Sequence, residues 1–222
     1  MKIAIDGPAG AGKSSIAKAL AQRLGIRYLD TGAMYRAIAY KTLKNGMDTK
    51  EAAAIAEMMA QTTIEIAFSD GGEQRVLVDG IDVTEYIRSP AISAAASNVA
   101  MLREVRSALV EYQRTLAEKY DVVMDGRDIG TVVLPDADYK FFVAADSTIR
   151  AQRRWEQMAE NGQIKEGMTL ASVLAEIQER DQRDMTRDVV PLVQAEDAIA
   201  IDTSRATLEE SVVEIMSHMH IH

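Results

Sequence analysis

The spacing of apolar residues changes repeatedly along this chain, and each change marks an element. Ile3-Ala4-Ile5, flanked by Lys2 and Asp6, has the length of a short buried strand. Beyond a glycine-rich stretch, Ile16, Leu20 and Leu24 recur at helical spacing, and Gly25 supplies a stop. Ile26 to Asp30 predicts a second strand. A helix follows, with Tyr35, Ile38, Ala39 and Leu43 on one face and Gly46 at its end. Asp48 and Glu51 have capping-box spacing and predict another helix reaching Gln61. The period then drops to two. Ile64, Ile66 and Phe68 alternate with polar or small residues, and turn signals at Asp70-Gly71-Gly72 and Asp79-Gly80 bracket Arg75 to Val78. Residues 62–88 therefore predict a small antiparallel insert. Ser89-Pro90 begins a helix, and Leu102, Val105, Leu109, Tyr112 and Leu116 stripe the next one.

Strand patterns return at Asp121 to Asp125 and at Tyr139 to Val143. Asp146 caps an arginine-rich helix that fades at Asn161-Gly162, and Thr169 starts a helix carrying Leu170, Val173, Leu174 and Ile177. Ala198 to Asp202 is a last strand, and residues 207–217 a last helix. Five core strands alternating with helices predict a three-layer α/β/α fold on a parallel sheet.

Composition narrows the class. The 222 residues are 47% hydrophobic, enough for one α/β core with insertions. No apolar run approaches a membrane span, and the first strand begins where a leader would lie, so a cytoplasmic protein without a membrane partner is expected. Cysteine is absent. A net charge of −9 argues against general nucleic-acid binding, so any anion site must be a local cluster of cations.

Gly7-Pro8-Ala9-Gly10-Ala11-Gly12-Lys13-Ser14 matches the P-loop pattern, in the strand–loop–helix order that this motif requires. Glycines let backbone N–H groups converge on phosphate, and the helix N-terminus adds partial positive charge. Lys13 is placed to reach the β- and γ-phosphates of ATP, and the Ser14 hydroxyl to ligate Mg²⁺. The arginines then suggest which P-loop protein this is. Arg36 and Arg127 follow two strands at the carboxyl edge of the sheet, where ligands bind in such folds. Arg180, Arg183, Asp184 and Arg187 share one face if their helix persists, and Arg150, Arg153 and Arg154 cluster one helix earlier. Several cations converging on one cleft suit a kinase that must hold two anionic substrates head to head. A base-reading Asn-Lys-x-Asp, which a GTPase would need, does not occur. Kinases of UMP, AMP, dTMP or shikimate, and a nucleotide-binding switch without transferase activity, remain alternatives on these features alone.

Four stretches carry a closer resemblance: Ile5-Asp6-Gly7-Pro8 with the P-loop, Leu29 to Arg36, Asp125-Gly126-Arg127-Asp128 through Val133, and Glu179 to Asp184. In these the chain resembles the bacterial cytidylate kinases along essentially its whole length. The resemblance implies transfer of the γ-phosphoryl of ATP to CMP or dCMP, with Mg²⁺. It implies that Gly7 to Ser15 (with Ser15 directly after the motif) bind ATP, and that Thr31, Arg36, Arg127 and Arg187 hold the CMP phosphate. Ser97, Arg106 and Asp128 would read cytosine, and Arg180 and Asp184 would hold the sugar. Arg153 and Arg154 would belong to a lid, at about residues 150–168, over the ATP phosphates. The core would comprise residues 1–30, 91–150 and 185–222, with residues 31–90 as the monophosphate-binding region. Asp30 or Asp125 would orient the waters of Mg²⁺. A monomer is expected.

Overall fold

The computed structural model describes residues 1–69, 71–186 and 190–220. Its centre is a five-stranded parallel sheet in the order β2-β6-β1-β7-β8, built from β1 (Lys2–Asp6), β2 (Arg27–Asp30), β6 (Val122–Asp125), β7 (Tyr139–Ala144) and β8 (Ile199–Asp202). The strands read as near-continuous apolar runs because helices cover both faces. Ile3, Ile5 and Val123 pack toward α1 (Lys13–Leu24) and α8 (Leu208–Ser217), burying Ile16, Leu20, Val212 and Ile215. Ala4, Val122 and Met124 face the other way, toward α2 (Thr31–Lys44) and α5 (Arg103–Lys119). The strand period of two thus divides one sheet between two apolar clusters.

β3 (Ile64–Phe68), β4 (Gln74–Val78) and β5 (Ile81–Asp82) form the expected antiparallel insert, between α3 (Ala52–Ala60) and α4 (Pro90–Val99). Val78 pairs with Ile81, and the two residues between them, Asp79 and Gly80, both have positive φ, the requirement of a tight two-residue hairpin turn. The insert has no separate core. Val76, Val78, Val83 and Ile87 bury into the same cluster as Met34, Ile38 and Leu29. Gln74 also closes the exposed edge of β2: its side chain accepts from the Asp30 amide at 2.7 Å and donates to the Asp30 carbonyl at 3.2 Å.

Two local readings change in the structure. Asp48 and Glu51 do not form a capping box; Asp48 accepts from the Lys50 amide and α3 begins after Glu51. A short side chain competes well for a nearby amide in a turn, and here it does so before the helix starts. The capping box occurs instead at Thr207 and Glu210, opening α8. Leu43 is exposed, because α2 turns Met34, Ala37, Ile38 and Ala39 inward.

α6 (Ser147–Glu160) and α7 (Leu170–Thr186) form a helical hairpin on their own small cluster of Ala151, Met158, Val173 and Ile177, with Trp155 and Leu174 against it. The expected helix face therefore persists through Asp184. Arg187 lies outside the described residues.

Candidate active site

Register places the chemistry at the carboxyl edge of the sheet. Ile5 and Asp30 both pair with Asp125, so β1, β2 and β6 end level with one another. The phosphate loop leaves β1 there. Gly7 has φ 143°, and a Cβ on it would lie 2.0 Å from the Val143 carbonyl oxygen, so only glycine fits where the loop passes the end of β7. Gly10 and Gly12 also have positive φ, and Gly12 caps α1. Lys13 opens that helix, nearly buried, with Nζ donating to the Pro8 carbonyl at 2.7 Å. Burial pulls its pKa down, and Arg127 adds to the effect, while Asp125 and Asp6 oppose it. The ammonium is thus poorly compensated and suited to an incoming anion.

Ser14 Oγ donates to Asp125 Oδ2 at 2.8 Å, and Tyr28 Oη donates to Asp125 Oδ1 at 2.9 Å. Burial and the nearby Asp30 push the Asp125 carboxyl above its ordinary range. A hydroxyl beside a carboxylate at the loop mouth is an oxygen donor set suited to Mg²⁺, which takes one or two protein oxygens and completes its shell with phosphates and water. Asp30 is committed elsewhere. Its Oδ1 accepts from the Ala33 amide at 3.0 Å, capping α2, and its Oδ2 pairs with Arg36 at 2.6 Å. Among the described residues no group of three or more histidine, aspartate or glutamate side chains gathers as a ready metal site.

A cleft of about 440 Å³ opens in front of Lys13 and Ser14. Thr31 and Arg36 line it from the start of α2, Ser97 from α4, and Arg106 from α5. Arg127 and Asp128 enter from the turn after β6, Arg154 from α6, and Arg180 and Asp184 from α7. With Lys13 and Ser14, these sequence-predicted residues converge from seven separate segments. A larger hollow, about 810 Å³, lies between α1, β2 and the insert, away from the phosphate loop; Asp30 and Arg36 border both spaces.

Arg36, Arg106 and Arg127 come already paired in the cleft. Arg127 Nε donates to Asp184 at 2.9 Å, so its partner is on α7 and not the adjacent Asp128. Asp128 is instead ion-paired with Arg106, and both are buried. Arg180 differs: its Nε is buried without a hydrogen-bond partner, and burial together with Arg127 pushes its pKa down to about 10, still charged at neutral pH. Arg183 makes an ordinary i,i+4 pair with Glu179. Thr31 Oγ1 donates to the Asp125 carbonyl at 2.8 Å, tying α2 to β6. Ser97 Oγ leans on the Ser93 carbonyl at 3.4 Å. Arg153 points away from the cleft to Thr203, whose hydroxyl donates to the Ala11 carbonyl of the phosphate loop.

Two further buried groups, Asp6 and Arg150, hold structural roles that their spacing in the chain does not reveal. Asp6, the last residue of β1, accepts from the Ile129 amide at 2.8 Å and the Gly130 amide at 2.7 Å. It thereby fixes the π-helical turn Ile129–Val133, which follows directly on Arg127 and Asp128. Burial raises its pKa to about 6 despite those two donors. Arg150, at the start of the expected lid, is anchored to the body through Ala9 and Ala145. An acid closing an otherwise apolar strand was the available signal for Asp6. Arg150 gave none beyond its place in an arginine cluster.

The chain matches the family model for cytidylate kinase over residues 3–221. It is 52% identical to a cytidylate kinase of Desulfitobacterium hafniense (strain Y51), covering 98% of this chain and 91% of that one. It is 44% identical to a cytidylate kinase of Clostridioides difficile (strain 630), covering 99% and 98%. Among solved structures, an uncharacterized protein from Eubacterium ventriosum ATCC 27560 superimposes with a TM-score of 0.55 at 14% identity, covering 100% of this chain and 99% of that one. A shikimate kinase from Bacteroides thetaiotaomicron gives 0.50 at 12%, with the same coverage. These two likenesses show a shared fold and no more. The sequence matches, by contrast, run nearly end to end and take in every segment that lines the cleft, so this chain belongs to the cytidylate kinase family.

Proposed function

We propose that the protein transfers the γ-phosphoryl group of ATP to CMP or dCMP, yielding ADP and the corresponding diphosphate. The observation that carries this reading is the cleft itself. A phosphate loop with Lys13 and Ser14 faces Arg36, Arg127 and Arg180 across a space walled by the buried Arg106–Asp128 pair.

The acceptor oxygen belongs to a phosphate that is already anionic near neutral pH, so no strong general base is needed. The barrier lies in bringing two anions together in line. Lys13 and the loop amides take the donor phosphates. Arg36 and Arg127 take the acceptor phosphate, exchanging their aspartate partners for it, with Arg187 as a further ligand expected from the sequence. Ser14 and the Asp125 carboxylate would hold Mg²⁺, which would supply charge neutralisation to the donor phosphates. Arg180 and Asp184 hold the sugar, and Arg154 reaches over the phosphates from α6, within the lid at about residues 150–168. Arg153 steadies the loop from behind through Thr203.

Base choice follows from hydrogen-bond polarity. Asp128 Oδ2 is taken by Arg106, which leaves Oδ1 for the N4 amine of cytosine. An ionised carboxylate only accepts, so the O4 of uracil would face it unpaired. Such a mismatch costs about 1–3 kcal/mol, and more when the group is charged. Ser97 and Arg106 complete this end of the site. The reading includes a monomer working in the cytoplasm; no helix among the described residues is long and apolar enough to cross a membrane.

ADP formation from ATP with CMP, dCMP, UMP, AMP, dTMP or shikimate tests the assignment. CMP and dCMP should be the preferred acceptors, by at least about 10-fold over UMP. Faster turnover of AMP or shikimate, or no acceptor-dependent turnover, would overturn it.

A further inference from the structure

Arg150 lies in the first turn of α6, yet its side chain is only 5% exposed, an unusual place for a guanidinium. It is held on three sides. Nε donates to the Ala145 carbonyl at 2.9 Å, fixing the side chain against the end of β7. Nη1 donates to the Ala9 carbonyl, inside the phosphate loop, at 3.0 Å. The outer fork meets Asp181 of α7 in a bidentate pair, at 3.0 Å and 2.6 Å. The stem matters too: a Cβ on Gly10 would lie 3.3 Å from Arg150 Cβ, so the loop rests directly on this residue.

Asp181 and Asp184 are one turn apart on the same side of α7. Asp184 pairs with Arg127 on the acceptor side of the cleft, and Arg180, directly before Asp181 in the chain, lines the same cleft as Asp184. The apolar cluster that holds α7 draws on α6, α7 and the connection between them. Placement of α7 against the phosphate loop and the β6 turn therefore rests on its polar contacts, chiefly these two ion pairs. A flexible single hydrogen bond would transmit little. A bidentate guanidinium–carboxylate pair fixes distance and orientation together.

Taking the cytidylate kinase reading as its basis, we infer that Arg150 and Asp181 are positioning residues that couple the two nucleotide sites. Donor phosphates that order the loop fix the Ala9 carbonyl, and with it Arg150, Asp181 and the face of α7 that carries Arg180 and Asp184. The acceptor then meets a site whose ordering has already been done, and it binds more tightly when the donor is present. Neither residue touches a substrate in this scheme.

The test is calorimetric binding of CMP to the full-length protein, with and without Mg²⁺ and a non-hydrolysable ATP analogue. In the wild type the analogue should tighten CMP binding by about 5-fold or more. In Asp181→Asn, which keeps the volume but loses the charged fork, that factor should fall below about 2, while CMP affinity without the analogue changes by less than about 3-fold. A purely structural role would lower Tm and leave the factor intact. Should Asp181→Asn not fold, the double variant Arg150→Met/Asp181→Leu replaces the buried pair by apolar groups of similar size, an exchange that buried ion pairs often tolerate, and the same loss of coupling is expected. Retention of the factor in either folded variant overturns the inference, as does a wild type that binds CMP with no coupling. A wild type that neither binds nor phosphorylates CMP would instead overturn the functional reading beneath it.

Discussion

The two halves of the cleft are built in different ways. The donor half is one contiguous stretch, Gly7 to Ser14, running from the end of β1 into the first turn of α1. Its geometry comes from backbone conformations that only glycine tolerates, and its charge from a single lysine and a helix N-terminus. The acceptor half is assembled from α2, α4, α5, the β6 turn and α7, and its charge sits on arginines already paired with Asp30, Asp128 and Asp184. A contiguous loop can be preformed by local sterics. Distant side chains must be held by one another until the ligand arrives, and the ion pairs do that. Buried or half-buried pairs of this kind add little net stability, but leaving one partner unpaired is costly.

The largest expected effect falls on the donor half. Lys13→Ala removes the cation that meets the donor phosphates, and turnover should fall by at least about 10²-fold with Tm nearly unchanged. Near-normal turnover would mean that the loop does not serve catalysis. Gly7→Ala probes the backbone instead of the charge. With 2.0 Å between the new Cβ and the Val143 oxygen, β7 and the loop must separate, and a loss of stability of about 2–4 kcal/mol by chemical denaturation is expected. A variant as stable as wild type would show that the loop can relax and is less locally fixed than its geometry implies.

The acceptor half should respond in selectivity as well as rate. Asp128→Asn can rotate its amide to donate to a uracil O4, so kcat/KM for CMP should fall by about 10-fold while the CMP/UMP ratio narrows. It also leaves Arg106 buried without its counter-charge, so Tm should drop as well, unlike the Lys13 variant. Equal losses on both substrates would move base reading to Ser97 and would leave Asp128 as the anchor of Arg106.

The smallest effect lies at the joint between the halves. Asp6 is the last residue before the phosphate loop and holds the turn of the acceptor half. Its folded pKa, about 6, lies above the ordinary aspartate value, so the folded state binds its proton more tightly than the unfolded chain does. Its contribution to stability is therefore fully present below about pH 4 and is lost as pH rises through 6. Relative to Asp6→Asn, which cannot titrate, the wild type should lose about 1 kcal/mol between pH 5 and pH 7 in denaturant titrations. A constant difference between the two proteins across that range would show that Asp6 titrates normally and that its burial is compensated.

Much of this was legible without coordinates, for reasons that follow from the same contrast. Strand length, helical spacing and turn residues act over a few positions, so the parallel sheet, the antiparallel insert and the whole donor loop followed from local pattern. The capping-box spacing at Asp48 misleads at that same scale, because a side chain four residues before a helix has several amides within reach. Resemblance to a family supplied cytosine, which no spacing in the chain could have named. What only the tertiary structure decided is pairing. Arg127 takes Asp184 over its neighbour Asp128, Arg106 takes Asp128, Gln74 closes the edge of β2, and Arg150 reaches both Ala9 and Asp181. The physical reason is reach. The sequence determines where a charged side chain leaves the backbone, but its partner is whichever opposite charge folding brings within hydrogen-bond distance, and for Arg106, Arg127 and Arg150 that charge lies tens of residues away.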